Sequence, residues 1–221
     1  MTIALERHRA AAPAIVPGEV LCADDVIGEV RRVVIATPLA VGLMWRPGHS
    51  IEVQVAPRTW RRYLVAAAHA AGRLEVVVSL ASGGPGAWWA ATADVGDPVA
   101  LRDLRDERLD GAAGASRVIV AGDETALGLH EAMTRARPAT PVLGVIEIAP
   151  WATWRLRPAP ARFSMVPRAM AEPGQRLALE LAERVNLDDV VHVVGSSGLV
   201  TRCRATLARH PRLTTLITWS A

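Results

Sequence analysis

The sequence predicts a two-domain β plus α/β protein: an N-terminal antiparallel β-barrel followed by a doubly wound parallel-sheet α/β domain. Two observations carry this reading. Before Asp110 the chain runs as short, alternating strands at close intervals, as sandwiches and barrels do. After Gly114 it changes to continuous apolar runs separated by helical segments, which implies a parallel sheet with helices on its faces. A chain of 221 residues is long enough for both. The boundaries that follow are a loose lead-in over 1–19, a barrel over 20–110 and an α/β domain over 115–221, with Gly111–Gly114 as the linker.

In the first half, Val26–Val34 alternates apolar residues with Glu and Arg, the pattern of a half-buried strand. Thr37-Pro38 breaks it, and Val41–Trp45 starts another short strand. Arg46-Pro47-Gly48-His49 is a turn, because Pro presets one dihedral and Gly tolerates positive φ. Strands follow at Ser50–Val55, ended by Pro57, at Trp60–Ala67 and at Arg73–Leu80. Gly83–Gly86 interrupts the pattern, and Ala87–Ala93 is a short helix. Asp94–Pro98 turns the chain into a last barrel strand at Val99–Leu101, and Asp103–Asp110 is a charged surface connection.

The second half opens with Arg117–Ala121, an apolar run typical of a strand buried on both faces. After the Gly122–Thr125 turn comes a helix over Ala126–Ala136, stopped by Pro138, then a strand at Val142–Ile148. Trp151–Phe163 is irregular, and Arg162–Val166 forms the next strand. Gln175–Val185 is an amphipathic helix, Val190–Val194 a buried strand, Leu199–Arg209 a helix and Leu213–Trp219 the final strand.

Composition excludes several classes. No apolar run approaches the roughly 18 residues of a membrane span, so no membrane insertion is expected. The N-terminus lacks the continuous apolar core of a signal peptide. All basic side chains are Arg, but they are scattered and the net charge is only +3, so a nucleic-acid partner is not expected. Cys22 and Cys203 lie far apart without metal spacing, which suggests reduced thiols in the cytoplasm. The histidines show no metal-binding pairing. Nothing in the sequence specifies an oligomeric state.

Two stretches carry the candidate site. In Arg61-Arg62-Tyr63-Leu64, alternate side chains point to opposite strand faces, so Arg61 and Tyr63 share one. That face offers a guanidinium suited to phosphate and a flat ring able to stack on a planar ligand. Gly84-Pro85-Gly86-Ala87-Trp88-Trp89 places a glycine bend before a helix start, where unpaired N–H groups and the dipole favour an anion. Gly122-Asp123-Glu124-Thr125 and Gly195-Ser196-Ser197-Gly198 end two strands of the predicted parallel sheet, the edge at which such sheets bind ligands. Asp123 and Thr125 also suit a helix cap. There is no G-x-G-x-x-G.

Taken in order, Pro47-Gly48-His49, Arg61-Arg62-Tyr63, Gly84-Pro85-Gly86-Ala87-Trp88-Trp89-Ala90 and Ala121-Gly122-Asp123-Glu124-Thr125-Ala126-Leu127 resemble the siderophore-interacting protein family, within the ferredoxin–NADP reductase-like superfamily. The resemblance implies a flavin-binding barrel, an NAD(P)H-binding domain, and electron flow from reduced nicotinamide through FAD to a small acceptor such as a ferric siderophore. It implies that Arg61, Arg62, Tyr63, Leu64 and Gly84–Trp89 hold FAD, and that Asp123, Glu124, Thr125, Gly195 and Ser196 face the nicotinamide nucleotide. The chain departs from the family pattern at Leu64, Ala81, Ala87, Gly128 and Ser196, mostly by losing a polar group. These departures motivate an alternative: a repurposed family member acting as a non-redox cyclase, isomerase or small-molecule binder in secondary metabolism. Its cleft would be lined by Trp60, Tyr63, Trp88 and Trp89, with flavin structural or absent. No residue stands out as a general acid or base, with Asp123, Glu124 and His69 as candidates only. Arg202 and Arg204 are candidates for a nucleotide 2′-phosphate.

Overall fold

A computed structural model describes residues 13–107, 109, 115–150, 163–169, 171–186, 188–208 and 215–220, the last group as backbone. Six antiparallel strands, β1 (Val16–Ile27), β2 (Val30–Val41), β3 (His49–Ala56), β4 (Thr59–His69), β5 (Ala71–Ser79) and β6 (Pro98–Asp106), close into a barrel in the order β1-β2-β5-β4-β3-β6. Inward-pointing Val20, Val33, Ile35, Ile51, Val53, Leu74, Val76 and Leu101 fill it. Between β5 and β6 lies α1 (Pro85–Thr92), whose Ala90, with the following Ala93, packs on that core. Arg31 fixes the far end of α1: its guanidinium donates to the carbonyls of Ala91 (2.5 Å) and Ala93 (3.3 Å), a cation where the helix dipole favours one.

The second unit is a parallel sheet of β7 (Arg117–Gly122), β8 (Val142–Ile148), β9 (Phe163–Pro167), β10 (Asp189–Gly195) and β11 (Thr215–Ser220), in the order β11-β10-β7-β8-β9. Helix α2 (Ala126–Ala136) covers one face, where Leu127, Leu129 and Met133 meet Val118, Val120, Ile146 and Val190. Helices α3 (Gln175–Arg184) and α4 (Ser197–Leu207) cover the other, packing on Ile119, Ala121, Val145, Val191 and Val193. Odd and even residues of β7 thus point to different helical layers, which is why its sequence is apolar without alternation. The connection from β8 to β9 runs through 151–162; the irregular segment expected over Trp151–Phe163 falls almost wholly there and lies outside the described residues.

Several boundaries differ from the sequence reading. The single strand expected over Val26–Val34 is the tight connection between two strands, because Gly28-Glu29 turns the chain. Thr37-Pro38 does not end β2. The strand continues past it through a register shift between Ala36 and Val41, and buried Thr37 donates to the Pro17 carbonyl (3.3 Å). Val41–Trp45 is not a strand: β2 stops at Val41 and the chain turns at Gly42. The barrel begins at Val16, inside the stretch read as a lead-in, and β6 extends into the stretch read as a surface connection.

The two units share one apolar cluster. Leu64, Ala66 and Val77 of the barrel pack with α2 and β7. At Gly128 of α2 an added Cβ would stand 3.3 Å from Val77 and 3.6 Å from Ala66, so the missing side chain there brings helix and barrel close. Around this contact one guanidinium nitrogen of Arg32 on β2 donates to both carboxylate oxygens of Glu131 of α2 (2.6 and 2.7 Å), and Arg135 reaches Glu75 on β5 (3.5 Å). Among the described residues no helix is long and apolar enough to cross a membrane, and neither cysteine is in a disulfide.

His192 on β10 is 1% exposed, and neither ring nitrogen has a hydrogen-bond partner among the described residues. Burial, reinforced by Arg137, pushes its pKa down to about 4. The unfolded chain therefore binds a proton that the native chain refuses. The stability this neutral imidazole allows is complete above about pH 6.5 and is lost as pH falls towards 4, by up to about 3 kcal/mol. Acid titration followed by circular dichroism checks this: His192→Leu flattens the loss between those pH values, and unchanged titrations would refute it.

Candidate functional site

The barrel and the sheet meet at a cleft of about 290 Å³ with three walls. The first is barrel strand: Arg61, Tyr63 and Leu64 from β4 with Val77, Val78 and Ser79 from β5. The second is the glycine bend and start of α1, Gly84–Ala87. The third is the carboxyl edge of the sheet, with Asp123 and Thr125 after β7, Gly195 at the end of β10 and Ser196 after it. The chain runs from β7 to β8 and β9 on one side, then returns so that β10 lies on the other side of β7. The crevice between β7 and β10 is therefore the topological switch point, where open parallel sheets take their ligands.

Each candidate has a distinct environment. Arg61 is exposed, and its guanidinium donates only to the Trp60 carbonyl (3.0 Å), with no carboxylate partner among the described residues. Tyr63 is half-buried; its ring lies 6.1 Å from that of Trp89 and its hydroxyl points at Gly86. A Cβ at Gly86 would come within 2.3 Å of that hydroxyl oxygen, so only glycine permits this approach. Burial pushes the Tyr63 phenol up to about 12, which keeps it neutral at any physiological pH. Next to it, the N–H groups of Gly86 and Ala87 in the first turn of α1 have no helical partner, and no side chain caps them. Gly84 borders open space.

Arg62, although it lines the cleft, does not offer a free charge. Its guanidinium is held by the Asp103 carboxylate, the Asp103 carbonyl (3.1 Å), Ser50 (3.1 Å) and Glu52 (3.1 Å). Alternation along the strand sends it to the side of the barrel that carries these acids. Trp60, Trp88 and Trp89 are not among the cleft-lining residues, which corrects the aromatic lining expected from sequence. Trp60 lies beneath Arg102, whose guanidinium sits 4.0 Å from the ring centre, while Trp88 is 68% exposed on the outer face of α1. Trp89 packs on the barrel core and Tyr63 rather than on the cavity.

At the sheet edge Asp123 ties the switch point together. It accepts from the Thr125 N–H (3.0 Å) and hydroxyl on its own turn, and from the Ser196 N–H (3.1 Å) on the other side of the crevice. A Cβ at Gly195 would meet the Asp123 carboxylate at 2.6 Å. Glu124 does not line the cleft. It is 3% exposed and accepts from Arg168 (2.5 Å), the Ala149 N–H (2.9 Å) and the Ser79 hydroxyl (3.4 Å), bracing barrel against sheet. Sequence reasoning missed Ser79, Ser82, Val77 and Val78 on the barrel wall, and Glu147 and Arg168 behind Glu124. The one signal for Glu147 was a lone acid inside the apolar β8 run.

A guanidinium with no carboxylate partner among the described residues, helix N–H groups that no side chain caps, open space at Gly84 and a flat neutral ring make a cradle that suits a dinucleotide with a planar ring system. The fold is the one seen in two-domain ferredoxin reductases. A phthalate dioxygenase reductase, described as a modular structure for electron transfer from pyridine nucleotides to [2Fe-2S], superposes with a TM-score of 0.70 at 15% identity, over 93% of this chain and 68% of that one. The chain is also similar over almost its whole length to siderophore-interacting proteins. The siderophore utilization protein from T. fusca gives a TM-score of 0.71 at 19% identity over 94% and 92% of the two chains. The siderophore-interacting protein from Aeromonas hydrophila gives 0.70 at 18% over 94% and 91%. No protein-family model and no curated protein matches the sequence.

Proposed function

We propose that the chain is a flavin-binding oxidoreductase of the siderophore-interacting type, taking electrons from NAD(P)H and passing them through FAD to a small acceptor such as a ferric siderophore. One observation carries the reading: the barrel wall, the glycine bend and both ends of the switch point converge on one cavity. In this reading residues 20–110 form the FAD-binding unit and 115–221 the nicotinamide-nucleotide unit. Arg61 and the N–H groups of Gly86 and Ala87 hold the flavin phosphates, and Tyr63 lies against the ring. Asp123, Thr125, Gly195 and Ser196 face the second nucleotide. FAD, when bound, supplies the hydride acceptor and the passage to an electron acceptor; the chain supplies orientation, electrostatics and exclusion of water.

The purified protein is expected to be yellow, or to take up FAD on titration, and to oxidise NADH or NADPH with an artificial acceptor. Arg61→Ala removes one charged hydrogen-bond partner and weakens FAD by about 10- to 100-fold, read by quenching of flavin fluorescence. A colourless protein that ignores added FAD would refute the proposal. A second reading keeps the cleft and drops electron transfer: a non-redox cyclase, isomerase or small-molecule binder. It is favoured by the apolar wall of Leu64, Val77, Val78 and Ala87, in which Leu64 and Ala87 stand where the resemblance leads one to expect polar groups. Nicotinamide oxidation would dispose of it.

A further inference from the structure

We propose that the nucleotide wall of this cleft takes NADH and rejects NADPH. The inference rests on the function proposed above. Its basis is a second cavity of about 220 Å³ that adjoins the first along Ser79, Ser82, Asp123, Thr125 and Ser196. It lies over the carboxyl ends of the sheet. Asp123 follows β7, Glu147 is near the end of β8, Arg168 follows β9 and Ser196 follows β10. A dinucleotide seated at a switch point extends its adenosine along this edge. There an acidic residue meets a free 2′-hydroxyl, whereas an arginine accommodates a 2′-phosphate.

The second cavity is lined by three carboxylates, Asp123, Glu124 and Glu147, and among the described residues by one guanidinium, Arg168. That cation is already committed. Its Nη2 stands 2.5 Å from Glu124 and 3.4 Å from the Glu147 carbonyl, and its Nε 3.6 Å from the Glu147 carboxylate. Glu124 and Glu147 are 3% and 0% exposed. Turning Arg168 towards a phosphate would strip two buried carboxylates of their counter-charge, which is unfavourable. A 2′-phosphate also brings between one and two further negative charges, by analogy with other phosphomonoesters, into a lining already rich in carboxylate. A 2′-hydroxyl brings none and can donate to a carboxylate. Arg202, the alternative phosphate partner suggested by sequence, pairs with Glu172 (3.6 Å), and neither it nor Arg204 lines this cavity.

The test is isothermal titration of the full chain with NAD⁺ and NADP⁺, at low and high salt. At low salt NAD⁺ is expected to bind at least about tenfold more tightly, and the gap narrows only modestly with salt, because Asp123 alone of the three carboxylates is exposed enough to be screened. NADP⁺ binding as tightly as NAD⁺ overturns this inference and leaves the proposed function standing; binding of neither overturns both. Glu147→Gln keeps an acceptor for the Gly174 N–H (2.9 and 3.0 Å from the carboxylate oxygens) while removing one charge. In a variant that circular dichroism finds folded, the NAD⁺-to-NADP⁺ gap shrinks, and an unchanged gap overturns the electrostatic explanation. The wild-type comparison decides the preference whether or not that variant folds.

Discussion

Replacing Arg168 by Ala lowers the stability of the sheet unit by about 3–5 kcal/mol, the usual result of removing one partner from a buried ion pair. Arg168 is the cation between two carboxylates that have almost no contact with solvent, Glu124 and Glu147. Burial already pushes the Glu147 carboxyl above its usual pKa, with the Gly174 N–H and Arg168 acting against that rise. Without the guanidinium, Glu124 keeps the Ala149 N–H and the Ser79 hydroxyl, and Glu147 keeps the Gly174 N–H, but among the described residues neither keeps a counter-charge. Glu147 also anchors the start of α3, where Gly174 adopts φ 85° before the helix, so the damage reaches the layer that α3 and α4 form. Urea unfolding followed by far-ultraviolet circular dichroism measures the loss. Glu124→Gln, which retains polar partners for its neighbours, costs less than Arg168→Ala. A loss of under about 1 kcal/mol for Arg168→Ala would place this triad among ion pairs of little consequence.

Gly86→Ala is expected to weaken FAD binding by about 100-fold while changing stability little. The added Cβ would stand 2.3 Å from the Tyr63 hydroxyl oxygen and 3.6 Å from the Cγ of Arg61. Either the Tyr63 ring swings into the cleft or the start of α1 backs away from it. Both displace the wall formed by the ring and the helix N–H groups by about 1 Å, a shift large enough to cost about 10²-fold when it disturbs a positioned ligand. The fold tolerates it because α1 keeps Ala90 packed in the barrel core and its far end held by Arg31. Tyr63→Phe removes the atom the Cβ meets, so the double variant recovers most of the affinity. Flavin fluorescence titration of the wild type and the three variants closes the cycle. Wild-type affinity in Gly86→Ala would show that Tyr63 and α1 do not hold the flavin.

Much of this was legible in the sequence where local pattern and packing agree. Ala126–Ala136 and Val142–Ile148 form as expected to the residue, because helical composition ended by Pro138 and an unbroken apolar run each have one comfortable solution. The barrel boundaries were harder. Gly28-Glu29 hides a turn inside an alternating pattern, and the register shift after Ala36 lets Thr37-Pro38 sit within a strand that the dipeptide was expected to stop. Arg61 and Arg62 are adjacent and chemically identical, yet among the described residues only Arg62 has carboxylate partners, while Arg61 donates to the Trp60 carbonyl alone. The difference depends on Asp103, Glu52 and Ser50, residues up to 41 positions away. Glu124 shows the same limit. Its place in the turn suggests a ligand-facing acid, but Arg168, some 44 positions on, draws it into the interior.

The elements of the α/β half, the two-unit architecture and the glycine positions near the cleft were set by local chemistry, since backbone dihedrals, apolar periodicity and turn residues act over a few neighbours. Which charges stay available was decided only when the barrel closed and the sheet folded against it. The ion pairs that decide it, Arg62 with Asp103 and Arg168 with Glu124, join surfaces brought together from distant parts of the chain, and no short window of sequence contains both partners.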